Sequence, residues 1–301
     1  MRRSALLFFL FILAISCAKP SKQAQKTFPT PEDAVVAMVD AARSGNTPEL
    51  KAIFGPDGEK ILSSGDPAAD QLSIQAFLAA YDENSQLMEE NGKRTLLIGK
   101  EEWPFPIPLI NDGKNWLFDT AAGANEVLFR RIGRNELGTI DVCMAYVDAQ
   151  KEYAKKSHDG VAAGTYAQKF ASTPGKQDGL YWKTDKPEDV SPLGELAADA
   201  ASEGYRRSED KLMPFHGYYY RILTAQGNNA NGGPKNYLKN GEMRGGFALI
   251  AIPAEHGNSG VMTFMVNQDA VVYEKDLGSE TTRLADAITV FDPDSTWDKA
   301  Q

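Results

Sequence analysis

The chain opens with an almost unbroken apolar run, Ala5–Ile15, behind two positive residues, Arg2 and Arg3, and ahead of a small residue, Ser16. That order of zones predicts a secretory leader over residues 1–16. The run is too short to span a bilayer, which takes about 20 residues. From Phe28 the apolar spacing turns helical. Thr30 as N-cap, Pro31 at the first helical position and Asp33 early in the turn predict a helix over Pro31–Arg43, with Val35, Met38, Val39 and Ala42 as its apolar stripe. Thr47-Pro48-Glu49 predicts a second helix through Phe54. A third is predicted from Asp66 to Ala80, carrying Leu72, Ile74, Phe77 and Leu78. From Ser85 the period changes. Strands are predicted over Lys93–Gly99, over the proline-interrupted Trp103–Ile110 and, after the turn Asn111-Asp112-Gly113, over Asn115–Asp119.

Helical composition returns at Ala124–Gly133. Asn135 then reads as the cap of a long helix over Glu136–Lys156, with Ile140, Cys143, Met144 and Val147 on one face. One helical turn is predicted over Tyr166–Ala171 and an Ala-rich helix over Leu193–Glu203. Strands follow at Gly217–Thr224, Gly246–Pro253 and in a hairpin of Val261–Asn267 with Ala270–Glu274. A short helix over Thr281–Ile288 comes last. Asn228–Lys235 reads as a loop.

Helices followed by a meander predict an α+β fold class. The expected organisation is a tether over 17–27, a small α+β domain over 28–125, and a long helix leading into a second antiparallel sheet over 126–301. The first part resembles the cone-shaped folds similar to nuclear transport factor 2, and the second the layout of pilin heads. These are likenesses of architecture and carry no function.

Leu13-Ala14-Ile15-Ser16-Cys17 resembles a bacterial lipobox, so Cys17 is expected to become the acylated first residue of an exported, periplasm-facing lipoprotein. The alternative is an ordinary leader with a chance cysteine behind it. The membrane would then be met through acyl chains on Cys17. Ala18 in place of Asp resembles cargo sorted to the outer membrane of a Gram-negative cell. Acylation of Cys17 leaves Cys143 alone, so the fold is expected to hold without a disulfide. The formal charge is −9, and loss of Arg2 and Arg3 with the leader makes it more negative. Such a surface repels phosphate backbones, so nucleic acid is not an expected partner.

Candidate chemistry is thin. The three histidines, His158, His216 and His256, show no helical metal spacing. His158 reads as solvent-facing. His216 and His256 are the weak catalytic candidates, the latter with Ser259 nearby; no nucleophile elbow surrounds that serine. Asp292, Asp294 and Asp298 are the best metal candidates, for Ca2+, but full EF-hand spacing is missing and a solvated turn capped by Asp292 is the preferred reading. Tyr181, Trp182, Tyr218 and Tyr220, with Tyr205, read either as an aromatic surface for a glycan or protein partner or as inward-packed core. Phe77, Trp103, Phe105 and Trp116 are candidates to line an apolar ligand pocket in the first domain. Gly232-Gly233-Pro234 lacks the residues of a phosphate loop.

Three stretches carry a family resemblance: Trp103-Pro-Phe-Pro-Ile-Pro with Phe118-Asp-Thr-Ala-Ala-Gly; Arg131-Ile-Gly-Arg-Asn-Glu-Leu; and Gly260-Val-Met-Thr-Phe-Met-Val-Asn-Gln-Asp with Val272-Tyr-Glu-Lys-Asp-Leu-Gly. Together they resemble the exported bacterial family catalogued as domain of unknown function 2950, over about residues 28–299. The resemblance implies export and an envelope protein partner, and it implies no reaction. The expected function is a non-catalytic binding or assembly role in the envelope. The alternatives are a small-ligand binder using the first-domain pocket and a hydrolase around His216 or His256.

Overall fold

The Thr30 hydroxyl accepts the Asp33 amide at 3.1 Å and so starts α1 (Pro31–Arg43). Asn46 caps α2 (Thr47–Phe54) in the same way. The protein is seen here as a computed structural model that describes residues 25–186, 189–202 and 214–300. The leader, Cys17 and Tyr205 lie outside those residues. After α3 (Glu59–Leu62), Asp66 caps α4 (Pro67–Glu83). The first sheet follows: β1 (Ser85–Glu90), β2 (Lys93–Ile98), β3 (Trp103–Pro104), β4 (Leu109–Asn111) and β5 (Trp116–Phe118). Its order is β1-β2-β4-β5, with β3 also on β2, and every pairing is antiparallel. The apolar stripe of α1, with Ile53 and Phe54 of α2, packs on Leu96, Ile98, Leu109 and Phe118 of this sheet.

Where two helices were expected, one runs without a break: α5 (Thr120–Tyr153), 34 residues long. Asn135 sits inside it. Its side chain is buried and donates to the Ser259 carbonyl at 2.8 Å instead of capping a helix start. The expected boundary at 125/126 thus falls inside a helix. Val127 of α5 packs against the first core, and Cys143, Tyr146, Val147 and Tyr153 belong to a second.

The second half continues with α6 (Gly194–Ser202), β6 (Tyr218–Leu223), β7 (Ala225–Gln226), β8 (Lys235–Asn236), β9 (Leu238–Lys239), β10 (Glu242–Met243), β11 (Ala248–Pro253), β12 (Met262–Asn267), β13 (Tyr273–Asp276), α7 (Thr281–Ala287) and β14 (Asp298–Lys299). The main sheet has the order β14-β13-β12-β11-β6 and is antiparallel throughout. Its inner strand β11, between β12 and β6, is apolar on both faces because both are covered: Ala248, Leu249, Ile250 and Ala251 are all fully buried. Tyr166–Ala171, expected as a helical turn, is irregular, with an isolated bridge at each end. Tyr166 bridges to Met243 and Ala171 to Tyr181, and those long-range bonds override the local preference. Among the described residues, no helix is long and apolar enough to cross a membrane.

One buried carboxylate ties the halves together. Asp66 is 0 % exposed. Its Oδ1 accepts the Ala69 amide at 3.2 Å within α4, and its Oδ2 accepts the Gly217 amide at 3.1 Å from the second half. Asp66→Ala is expected to cost about 3 kcal/mol: about 1 from the lost cap and about 2 from a buried amide left without its acceptor. A lowered urea midpoint would show this; a midpoint equal to wild type would mean the two bonds carry no weight.

Candidate functional site

Helices α1, α2, α4 and α5 do not close completely on one another. α4 has no fully buried side chain, although Ile74, Phe77 and Leu78 face inward against the first core. Beneath it lies a cavity of about 200 Å³. Met38, Leu50, Phe54, Ile74, Phe77 and Phe105 form its apolar wall, and Asp70, Ser73, Arg131 and Arg134 add polar groups. The Phe77 and Phe105 rings lie 5.5 Å apart, which fixes one wall in a tilted aromatic pair.

The polar groups differ in how far they are already engaged. Both Asp70 oxygens accept the Ser64 amide, at 3.0 and 3.1 Å. Arg131 donates to the carbonyls of Ile61 and Ser63 and, at 2.6 Å, to Asn258 Oδ1 in the second half. Burial lowers the pKa of this guanidinium; Asp70 opposes the shift, Arg134 adds to it and Glu255 opposes it. Arg134 is one helical turn further on and exposed, and its side chain makes no hydrogen bond or ion pair among the described residues. The site therefore combines an apolar interior with an open cationic group.

The sequence-based candidates divide. Phe77 and Phe105 line the cavity, and Trp103 and Trp116 do not. Trp103 is 45 % exposed, and its ring lies under the Arg130 guanidinium at 4.4 Å. Trp116 sits in β5, exchanges backbone bonds with Phe28 and packs on the outside of the first core. Arg131 and Arg134 were missed, because only the fold brings them to the cavity.

Tyr218 is no partner surface. It is 0 % exposed, donates to the Met262 carbonyl at 2.9 Å and packs against Phe264. Tyr220 is half-buried, with its hydroxyl at Thr139 and the Phe215 carbonyl. Tyr181 and Trp182 do line an open cleft, next to Gln177 and Asp189. His158, expected in solvent, is 7 % exposed and stacked on Tyr153 with ring centroids 4.1 Å apart.

His256 bonds Asp276 Oδ1 through Nε2 at 2.8 Å. The hydroxyl of Ser259 is engaged elsewhere, with the backbone of Glu255, and the serine is fully buried. His216 has a left-handed backbone and packs over Gly138. His256 is thus paired with a carboxylate and not with the Ser259 hydroxyl. Asp292 accepts the Asn229 amide, Asp294 caps Thr296, and Asp298 stands in β14 opposite Glu274. The three carboxylates thus serve three separate structural roles, and among the described residues no group of three His, Cys, Asp or Glu side chains is placed to hold a metal. Cys143 is buried, and burial pushes its thiol up to about 12, far from a reactive thiolate.

A model of the family described as "Protein of unknown function (DUF2950)" matches residues 25–300. No curated protein and no solved structure matches the chain.

Proposed function

The chain belongs to the DUF2950 family, and on that premise we propose that it is an exported, lipid-anchored binding protein that takes a small amphipathic anion in the cavity under α4. The observation that carries this reading is the pairing of an apolar, aromatic-walled interior with the unengaged Arg134. An apolar group of modest size fits the interior, since ligand pockets of about 300–1,000 Å³ hold drug-sized molecules and this one is smaller. A carboxylate or phosphate head would then meet Arg134 in a charge-assisted bond. The reading assigns the protein no reaction. The anchor rests on the lipobox-like residues 13–17, and export on the leader pattern over residues 1–16 together with the family resemblance.

Octanoate and 1-octanol separate the contributions of tail and head in a calorimetric titration. Octanoate is expected to bind, and Arg134→Gln is expected to weaken it by about tenfold while leaving 1-octanol unchanged, as befits one exposed charge-assisted bond. Ile74→Trp, which fills the cavity, is expected to abolish both. Octanoate affinity that is indifferent to Ile74→Trp would sink the proposal.

A further inference from the structure

A second cleft lies in the other half, formed by chain without regular secondary structure. Residues 172–180 leave and rejoin the fold at a bridge between Ala171 and Tyr181, where the Ser172 amide donates to the Tyr181 carbonyl at 2.8 Å. Between them opens a space of about 470 Å³, lined by Lys176, Gln177, Tyr181, Trp182, Lys183 and Asp189 among others.

The walls are fixed from behind. Trp182 donates its indole N–H to the Asp189 carbonyl at 2.9 Å, so its ring is held in one orientation. The same ring lies 5.6 Å from His158, which stacks on Tyr153 at the end of α5. Gln177 Nε2 donates to both Asp189 oxygens, at 2.9 and 3.0 Å. That leaves lone pairs on the carboxylate for further donors. The opposite lip is set by Asp178, which accepts the Thr173 amide and hydroxyl at 2.7 and 2.8 Å and pairs with Lys169. Lys176 and Lys183 differ from these groups. Both are exposed, and neither ammonium makes a hydrogen bond or ion pair among the described residues.

We propose that this cleft binds an acidic saccharide. The Trp182 ring, held in one orientation, offers a flat apolar surface to the C–H face of a sugar ring, and Tyr181 stands beside it. A planar amide and a carboxylate side by side can bond adjacent hydroxyls. Two unengaged lysines, in a chain of formal charge −9, select an anionic substituent. A free phosphate would use the lysines and leave the rings idle; a hydrocarbon would strip water from the remaining lone pairs of the Asp189 carboxylate and offer nothing in return.

The test is a titration of the mature chain with a hyaluronan tetrasaccharide, with cellotetraose as neutral counterpart, followed by intrinsic tryptophan fluorescence and calorimetry. The acidic probe is expected to bind at least tenfold tighter than the neutral one. Lys176→Gln with Lys183→Gln, both on the surface, should reduce that preference to twofold or less. Trp182→Ala should abolish binding of both. Should that variant fail to fold, Tyr181→Ala serves for the aromatic wall. Octanoate should not compete, because it occupies the other cavity. Absence of binding by either saccharide, or binding indifferent to the lysine pair, overturns the proposal.

Discussion

Gly260→Ala is expected to lower stability by about 3 kcal/mol or more, one of the largest losses available to a single methyl group in this protein. A Cβ built on Gly260 would lie 2.0 Å from the Tyr218 hydroxyl oxygen and 2.5 Å from the ring carbon that bears it. Tyr218 cannot yield easily. It is fully buried at the start of β6, its hydroxyl is held by the Met262 carbonyl, and its ring packs on Phe264. The loop cannot yield easily either, since the Gly257 amide donates to the Gly260 carbonyl at 2.8 Å and Asn135 holds the Ser259 carbonyl. Gly260 has no left-handed φ, so the cost is one of space and not of backbone strain. Urea midpoints of the single variants and of Gly260→Ala with Tyr218→Leu would show it. The smaller side chain makes room, so the double variant is expected to be more stable than the sum of the single losses predicts. Strict additivity would mean that the methyl group is accommodated in some other way.

The second large effect concerns the anchor. Cys17→Ala is expected to remove all incorporation of radiolabelled palmitate. The same change behind a conventional cleavable leader is expected to move the protein from the detergent phase to the aqueous phase. Each buried methylene contributes about 0.8 kcal/mol, and one chain alone gives only marginal binding, whereas a diacylglyceryl group with an N-acyl chain holds firmly. The redistribution should therefore be nearly complete. Palmitate on the alanine variant, or none on the wild type, would end the lipoprotein reading and leave the ordinary leader. A cavity for an amphipathic anion and an acylated first residue are independent claims, so either can fail alone.

What could be read in advance followed from local chemistry. The start of α1 was legible because Thr30, Pro31 and Asp33 specify a helix start unaided, and its end because Ser44 and Gly45 stop it. β1 was not, because its residues are mostly exposed and only Leu87 is even half-buried. Its strand character comes from a six-residue register with β2. The break expected within α5 had a similar origin. Gly133 and Asn135 carry a local stop-and-start signal, and the buried bond from Asn135 to Ser259, 124 residues away, overrides it. Phe77 and Phe105 could be named because large apolar residues on periodic faces go inside. Trp103, two residues from Phe105, obeyed a different interaction, with Arg130, that no spacing announces. Arg134 was invisible as a site residue. In one dimension it is a charge on a helix, and only the incomplete closure of α4 turns it into the mouth of a cavity.

The unbroken α5 also bears on how the molecule can be divided. A rod of 34 residues is about 50 Å long, and it lends one stretch of itself to each core. A cut at 125/126, where composition suggests a border, would sever the rod near its first turn. It would leave the first half without Val127 and Arg131, and so without part of its own cavity wall. The two halves share that rod, which supplies residues to both cores. The span that keeps both cores whole runs from residue 25 to residue 300, the span that the family model matches.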